Sequence, residues 1–360
     1  MTVAARDDSI MVDDRQAASV AVDYLDPSRA EEWDAFVMRC PEATFFHRAG
    51  WKQVLEGALG HRGYFLYAQR NGRIVGVLPL GHVKTRLFGN ALISVPFCVY
   101  AGVATEDDDA ERALTGAARA LAEDLQVDYL ELRSRTRRNP DWPCKDDLYV
   151  TFRKPIDPDV EQNMQAIPRK QRRMVRQAMQ RELQSDIDSN LDRFFPIYAD
   201  SVRRHGTPVF ARRYFEALHR VFGQDCQVLT VTREGRPVSS VMSFYFRDEV
   251  LPYYGGGTLE ARSVSSFDFM YWDLMRRACE QGYRLFDYGR SKVGTGSYSF
   301  KKNWGFTPEP LYYEYHLVRA EQIPDINPLN PKYRLFIETW KRLPTPVANL
   351  LGPMVSRGLG

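Results

Sequence analysis

The chain is poor in the residues that carry metal and redox chemistry. Its five cysteines, Cys40, Cys98, Cys144, Cys226 and Cys279, are odd in number, scattered and free of any CxxC spacing. That pattern excludes a disulfide framework and a cysteine zinc site, and it reads as reduced thiols in the cytoplasm. The six histidines stand alone, so no metal centre is expected. No stretch is apolar for the length a membrane-spanning helix requires, and residues 1–15 are acidic and polar where a signal peptide is basic and then apolar. An excess of one charge is lacking as well: 49 Lys and Arg against 46 Asp and Glu leave +3, too little to demand nucleic acid as a partner.

What is present is a globular composition, 44% apolar and 26% charged, over 360 residues, enough for two domains of usual size. Residues 1–17 carry Asp7, Asp8, Asp13 and Asp14 and little to bury, which predicts a disordered leader. Hydrophobic spacing then predicts a strand over 20–25, helices over 29–40 and 49–59, and strands over 64–69, 74–80 and 92–103. A helix over 110–125 and strands over 129–134 and 148–153 follow. The second half gives helices over 191–205 and 211–222, strands over 227–232, 238–246 and 249–255, and a helix over 267–281. It closes with a strand over 283–288, a short helix over 297–304 and a strand over 311–317. Hairpin signals at Asn71-Gly72 and Glu234-Gly235 join equivalent strands. Two helices, three antiparallel strands, a helix and a strand thus occur twice. The fold class is α/β (α+β), an internal duplication with domains at 18–160 and 186–320, each a mixed, largely antiparallel sheet flanked by helices.

Two further segments stand out. Residues 161–185 predict a basic linking helix, in which 167–183 holds six basic residues against one acidic. Arg169, Arg172, Arg173 and Arg176 share one helical face, as a ridge for phosphate or as a solvated surface. The tail, 321–360, places Leu335, Phe336, Ile337, Trp340, Leu343, Val347, Leu350, Leu351 and Met354 among Arg334, Lys341, Arg342 and Arg357. Residues 331–360 therefore suit peripheral contact with an anionic membrane at its inner face, or packing on the body or a partner.

The stretch from Tyr283 to Leu317 is the least generic. A strand ending at Asp287 and Tyr288, a glycine turn and a short helix capped by Gly305 form the kind of junction at which α/β sheets bind ligands. The element order resembles the GNAT superfamily of N-acyltransferases, and the tandem pair resembles the FemAB-like peptidyltransferases. The resemblance covers most of residues 20–317. It is sharpest in Phe286-Asp-Tyr-Gly-Arg-Ser-Lys292, Gly294-Thr-Gly296 and Phe300-Lys-Lys-Asn-Trp-Gly-Phe306, which look like FemAB-related proteins encoded beside exosortase (PEP-CTERM) and exopolysaccharide systems.

The resemblance implies tandem GNAT-like acyl-CoA N-acyltransferase folds and transfer of an activated acyl or aminoacyl group to an amine on a cell-envelope, polysaccharide or lipid-related acceptor. The donor it implies is aminoacyl-tRNA or an acyl thioester, on coenzyme A or an acyl carrier protein, with no tightly bound cofactor. Two other readings stand beside it: a fatty acyl-CoA or carrier-dependent enzyme making an N-acyl amino acid or lipid amide, and a non-catalytic GNAT pair serving as a scaffold in polysaccharide assembly. Where simple GNAT enzymes have a tyrosine in a pattern resembling Tyr-x-x-x-Gly-Phe, this chain has Lys301, as FemAB-like transferases do. Its ammonium would stabilise the carbonyl oxygen, or it merely suits the negative end of a helix. Asp287 is the first candidate to take the amine's proton or orient the amine, or else a partner for Arg290 or a cap for the following turn; Tyr288 and His205 are weaker candidates. Arg290 to Gly296 resembles the GNAT pyrophosphate loop, one residue too long and after the fifth strand instead of the fourth. Arg290 and Lys292 are expected to hold phosphate, Gly255 and Gly256 to offer backbone donors, and Trp51 and Tyr254 to line the cleft or the core.

Overall fold

The computed structural model describes residues 19–85, 89–324 and 331–358, with only the backbone over 331–334. The leader expected at 1–17 lies outside the described residues. The first half comprises β1 (Ala21–Tyr24), α1 (Ala30–Arg39), α2 (Gly50–Val54), β2 (Arg62–Arg70), β3 (Arg73–Thr85), β4 (Gly89–Ser94), β5 (Ala104–Thr105), α3 (Asp108–Asp124), β6 (Tyr129–Ser134), β7 (Cys144–Lys145) and β8 (Tyr149–Pro155). After α4 (Val160–Ala166), α5 (Arg169–Met179) and β9 (Leu183–Asp188), the order recurs as α6 (Phe194–Arg204), α7 (Arg212–Phe222), β10 (Cys226–Arg233), β11 (Arg236–Phe246), β12 (Glu249–Gly257), α8 (Ser266–Glu280) and β13 (Leu285–Asp287). The chain closes with β14 (Ser291–Lys292), α9 (Gly296–Asn303), β15 (Pro308–Pro310), β16 (Tyr312–Leu317), α10 (Pro331–Arg342) and α11 (Thr345–Ser356).

The repeated order forms two eight-stranded mixed sheets flanked by helices. Asn71 and Gly72 (φ 52° and 77°) turn β2 into β3, and Glu234 and Gly235 (φ 51° and 74°) turn β10 into β11 in the same left-handed way. Each sheet has one parallel pair, β4 with β6 and β12 with β13. The β12–β13 pair shares only the Glu249–Leu285 and Val250–Phe286 positions before the strands part.

The sheets do not divide the chain at residue 160. β8 runs antiparallel to β13 in the second sheet, and β16 runs antiparallel to β6 in the first. Each half thus covers the open edge of the other's parallel strand, an edge that would otherwise present unpaired backbone groups. The halves also share an aromatic core: Phe45 stacks on Phe244 with centroids 4.4 Å apart, and Trp51 meets Phe222 at 5.3 Å.

Two expected elements are corrected. The strand predicted over 92–103 stops at Ser94, because Pro96 removes a ladder donor and Val95 and Phe97 adopt left-handed φ of 44° and 72°. The released segment crosses to the second half, where Tyr253 Oη donates to the Phe97 carbonyl at 3.1 Å. The linking helix of 161–185 is two helices broken at Pro168, whose backbone is extended (ψ 141°), and β9 begins where the helix was expected to end.

Candidate active site

β13 ends at Asp287, whose carboxylate is fully buried. It accepts hydrogen bonds from Tyr100 Oη, Thr151 Oγ1 (3.2 Å) and the Gly289 amide (2.7 Å), and it lies 3.3 Å from Arg153 Nε. Its donors therefore come from the crossing segment, from β8 and from its own turn, in which Gly289 takes the left-handed φ of 64°. Arg153 also pairs with Glu249, so two carboxylates, a guanidinium and a phenol form one network, buried at Asp287 and Tyr100 and partly exposed at Arg153 and Glu249. Burial pushes Tyr100 well above the ordinary phenol range, and the neighbouring Asp287 charge pushes it further, so Tyr100 stays protonated and donates. Burial also raises Glu249, against the pull of Arg153.

Lys301 projects from α9 back onto the turn after β13. Its Nζ donates to three consecutive carbonyls, those of Tyr288 at 2.7 Å, Gly289 at 2.9 Å and Arg290 at 3.1 Å. All three ammonium hydrogens are thereby used. Burial lowers its pKa to about 7, with Asp287 opposing and Arg290 reinforcing the shift. Lys302, one residue on, is exposed. Tyr288 is a core ring packed on Phe306 (4.7 Å), Tyr271 and Phe286 (both 4.9 Å), and its buried hydroxyl has no hydrogen-bond partner among the described residues. Arg290 lies 4.7 Å over the Tyr149 ring and donates to Tyr313 Oη at 2.8 Å, on the wall of a cavity of about 110 Å³. Lys292 is half-buried in β14, opposite Tyr149 of β8.

A larger cavity, about 360 Å³, opens where the halves meet. Tyr100 forms part of its wall, so the cavity reaches the residue that holds Asp287. Among the charged residues around it, Arg133 is paired to Glu131 at 2.6 Å and Arg138 to Glu111 at 2.7 Å. Arg135 is different: its guanidinium sits 5.6 Å over the Tyr100 ring, and among the described residues it makes no ion pair. Glu309, on β15, also makes none among the described residues. An unpaired cation and an unpaired carboxylate therefore line one polar cavity. His47, in the same wall, is held neutral by burial, with a pKa near 4. Its Nδ1 accepts from the Thr44 amide at 3.0 Å and its Nε2 donates to the Gly102 carbonyl at 2.8 Å, leaving no ring nitrogen for chemistry.

The remaining expected residues lie apart from this cavity. Trp51 is fully buried, and Tyr254 shares a hydroxyl contact with Tyr214 at 2.8 Å within the aromatic core, so neither is a cleft wall. Gly255 and Gly256 belong to β12, paired with β11. A Cβ on Gly255 would lie 2.9 Å from Tyr271 Oη, and one on Gly256 2.8 Å from Tyr198 Cα; these glycines admit close helix packing and do not form a ligand loop. His205 closes α6 with Nδ1 2.6 Å from the Ser201 carbonyl, as a helix-end residue. Arg169, Arg172, Arg173 and Arg176 do line one open depression of about 390 Å³ on α5, with Arg176 3.8 Å from Glu161. Sequence reading missed Tyr100, Arg135, Arg153, Glu249 and Glu309, which the strand exchange and the crossing segment bring together.

In the segment before α8, the amides of Thr258, Ala261, Ser263, Val264 and Ser265 are all bonded internally. In the first half, α3 is capped by Asp107 and carries Asp108, Asp109 and Glu111 in its first turn, which repels an anion.

Two mixed sheets, each with a parallel pair, flanking helices and the same element order, define a tandem GNAT-like fold. Residues 162–302 match the acetyltransferase (GNAT) domain family. FemX is similar over 88% of this chain and 100% of its own, at 15% identity and a TM-score of 0.68. L-PGS from Bacillus licheniformis is similar over 91% of this chain and 100% of its own, at 14% identity and a TM-score of 0.53. The tandem GNAT protein from the clavulanic acid biosynthesis pathway is similar over 85% of this chain and 100% of its own, at 12% identity and a TM-score of 0.51. No curated protein matches the sequence. Among the described residues no cluster of His, Cys, Asp and Glu has the geometry to hold a metal ion, and no helix is long and apolar enough to cross a membrane.

Proposed function

We propose that this protein is an N-acyltransferase that passes an activated acyl or aminoacyl group to the amine of an anionic, envelope-type acceptor bound in the junction cavity. The observation that carries the reading is the presence, in the lining of one cavity, of Arg135 and Glu309, two opposite charges that make no ion pair among the described residues. Arg135 would receive the acceptor's phosphate or carboxylate. Glu309 would take the proton that the ammonium must lose before it attacks. The amine nitrogen then bonds to the donor's carbonyl carbon, the carbonyl-to-leaving-group bond breaks, and the leaving oxygen or sulfur takes up a proton.

Asp287 and Lys301 act in this reading as positioning residues. Asp287 holds Tyr100 in the cavity wall, and Lys301 fixes the three carbonyls of the turn that follows β13. The arginine face of α5 suits a phosphate-rich carrier such as tRNA. The similarity to FemX and to L-PGS agrees with an aminoacyl donor and an envelope acceptor. A carrier-protein thioester would undergo the same reaction with sulfur as the leaving atom. Transfer from bulk aminoacyl-tRNA into an envelope extract, with and without ribonuclease, tests the reading: ribonuclease-sensitive labelling of an amine is expected, and labelling that needs only a thioester would overturn the tRNA donor.

A further inference from the structure

The last helix has no place in the chemistry above, and its outer face is apolar. On α11, Ala348, Gly352 and Ser356 are buried at helical spacing. Gly352 lies so close to the body that a Cβ there would meet the Val209 carbonyl oxygen at 2.8 Å. That face seats the helix along the protein surface. The other face carries Val347, Leu350, Leu351 and Met354 at the i, i+3, i+4, i+7 spacing, and all four are exposed, Leu350 to 75% and Met354 to 72%. Leu335 and Phe336 of α10, which packs on the same helix α6 as α11 does, are exposed as well (75% and 37%). Half of the twelve exposed large apolar side chains among the described residues fall in these two helices.

The surroundings of this stripe say what it meets. α11 itself contains no charged residue, and exposed Arg342 and Arg357 bracket it in the chain. Over residues 331–360 there are five basic residues and one acidic. A helix lying flat on the body, with a row of aliphatic side chains outward and cations at its ends, matches an interface whose interior is apolar and whose surface is anionic. At 12 residues α11 spans about 18 Å and is too short to cross such a layer. Ile337 of α10 packs so closely on Gly206 that a Cβ there would lie 2.5 Å from it, so α10 too is docked on the body.

We infer that α11 seats this protein on an anionic lipid bilayer, with Val347, Leu350, Leu351 and Met354 entering the headgroup boundary and Arg342 and Arg357 meeting lipid phosphates. The inference is independent of the acyl-transfer reading, since its test measures binding and not activity. The full chain is floated with vesicles of phosphatidylcholine alone and of phosphatidylcholine mixed with phosphatidylglycerol. Binding to the mixed vesicles is expected, at least tenfold above the neutral ones and falling with salt. Leu350→Glu with Met354→Glu should abolish it while leaving thermal unfolding unchanged, since both side chains are exposed; Arg342→Glu with Arg357→Glu should weaken it selectively on anionic vesicles. Equal binding by wild type and the Leu350/Met354 variant, or no preference for anionic vesicles, overturns the inference. So does a concentration-dependent dimer in sedimentation that the same two glutamates dissolve, which would give the stripe to a second copy of the chain.

Discussion

Tyr100 of the first half donates its hydroxyl hydrogen to Asp287 of the second, and both side chains are buried, Asp287 completely. The contact pins the crossing segment to the end of β13 and so fixes one wall of the junction cavity. Tyr100→Phe leaves Asp287 with Thr151, Gly289 and Arg153, and the expected cost is about 1–3 kcal/mol of stability. Asp287→Ala strands Arg153 beside its remaining partner Glu249 and should cost more, about 3–5 kcal/mol. Urea unfolding followed by tryptophan fluorescence checks both; a Tyr100→Phe protein as stable as wild type would show that the bond adds nothing to the junction.

Lys301 gives a pH signature. Its pKa is about 7 in the folded chain against the ordinary 10.5. Below pH 7 both states carry the charge, and the contribution is flat. Between about 7 and 10.5 the unfolded chain holds a proton that the folded chain has released, so stability rises with pH, by up to about 1.4 kcal/mol per unit. Lys301→Met should remove that slope. It also frees three carbonyls of the turn and should lower kcat by about 100-fold. Unfolding midpoints across this window, for wild type and variant, decide the first point, and steady-state kinetics the second.

The fold was largely legible in the sequence because its signals are local. The turns at Asn71-Gly72 and Glu234-Gly235, the repeated helix spacing and the strand runs each depend on neighbouring residues, and apart from the strand expected over 92–103 and the linking helix they appear close to where the pattern places them. What could not be read is long-range. Nothing in residues 149–155 states that β8 pairs with β13 instead of β6, since both partners offer the same apolar strand face. The site depends on that exchange: Arg153 of β8 reaches Asp287 only because the strand lies in the second sheet. Gly255 and Gly256 are a case of the same kind: their sequence does not reveal the close approach of Tyr271 and of the Tyr198 backbone that the helices make to them.

Asp268 supplies a second titration of opposite sign. Burial raises its carboxyl from 3.8 to about 6, with Gln171 Nε2 donating to it and opposing the rise. Between those values the folded chain holds a proton that the unfolded chain has lost, so stability falls as pH rises through the window. Asp268→Asn removes the buried charge and keeps an acceptor for Gln171. The variant should be more stable than wild type by about 1–3 kcal/mol at pH 7 and no more stable below pH 3.8. Thermal unfolding at the two ends of the window reads the difference directly.

The two unpaired charges of the junction cavity separate binding from chemistry. Arg135 makes no ion pair among the described residues, so its loss leaves no carboxylate without a salt-bridge partner; Arg135→Ala should raise KM for the acceptor by about 10–100-fold and leave kcat nearly unchanged. Glu309 is exposed at the rim, so Glu309→Gln should spare stability. If it takes the ammonium's proton, kcat should fall by about 100-fold or more, and the loss should shrink as pH rises and the acceptor amine deprotonates unaided. A positional role for Glu309 predicts a loss that is constant with pH. The kcat profile of Glu309→Gln against wild type, measured at saturating acceptor, therefore distinguishes a proton acceptor from a side chain that merely shapes the cavity.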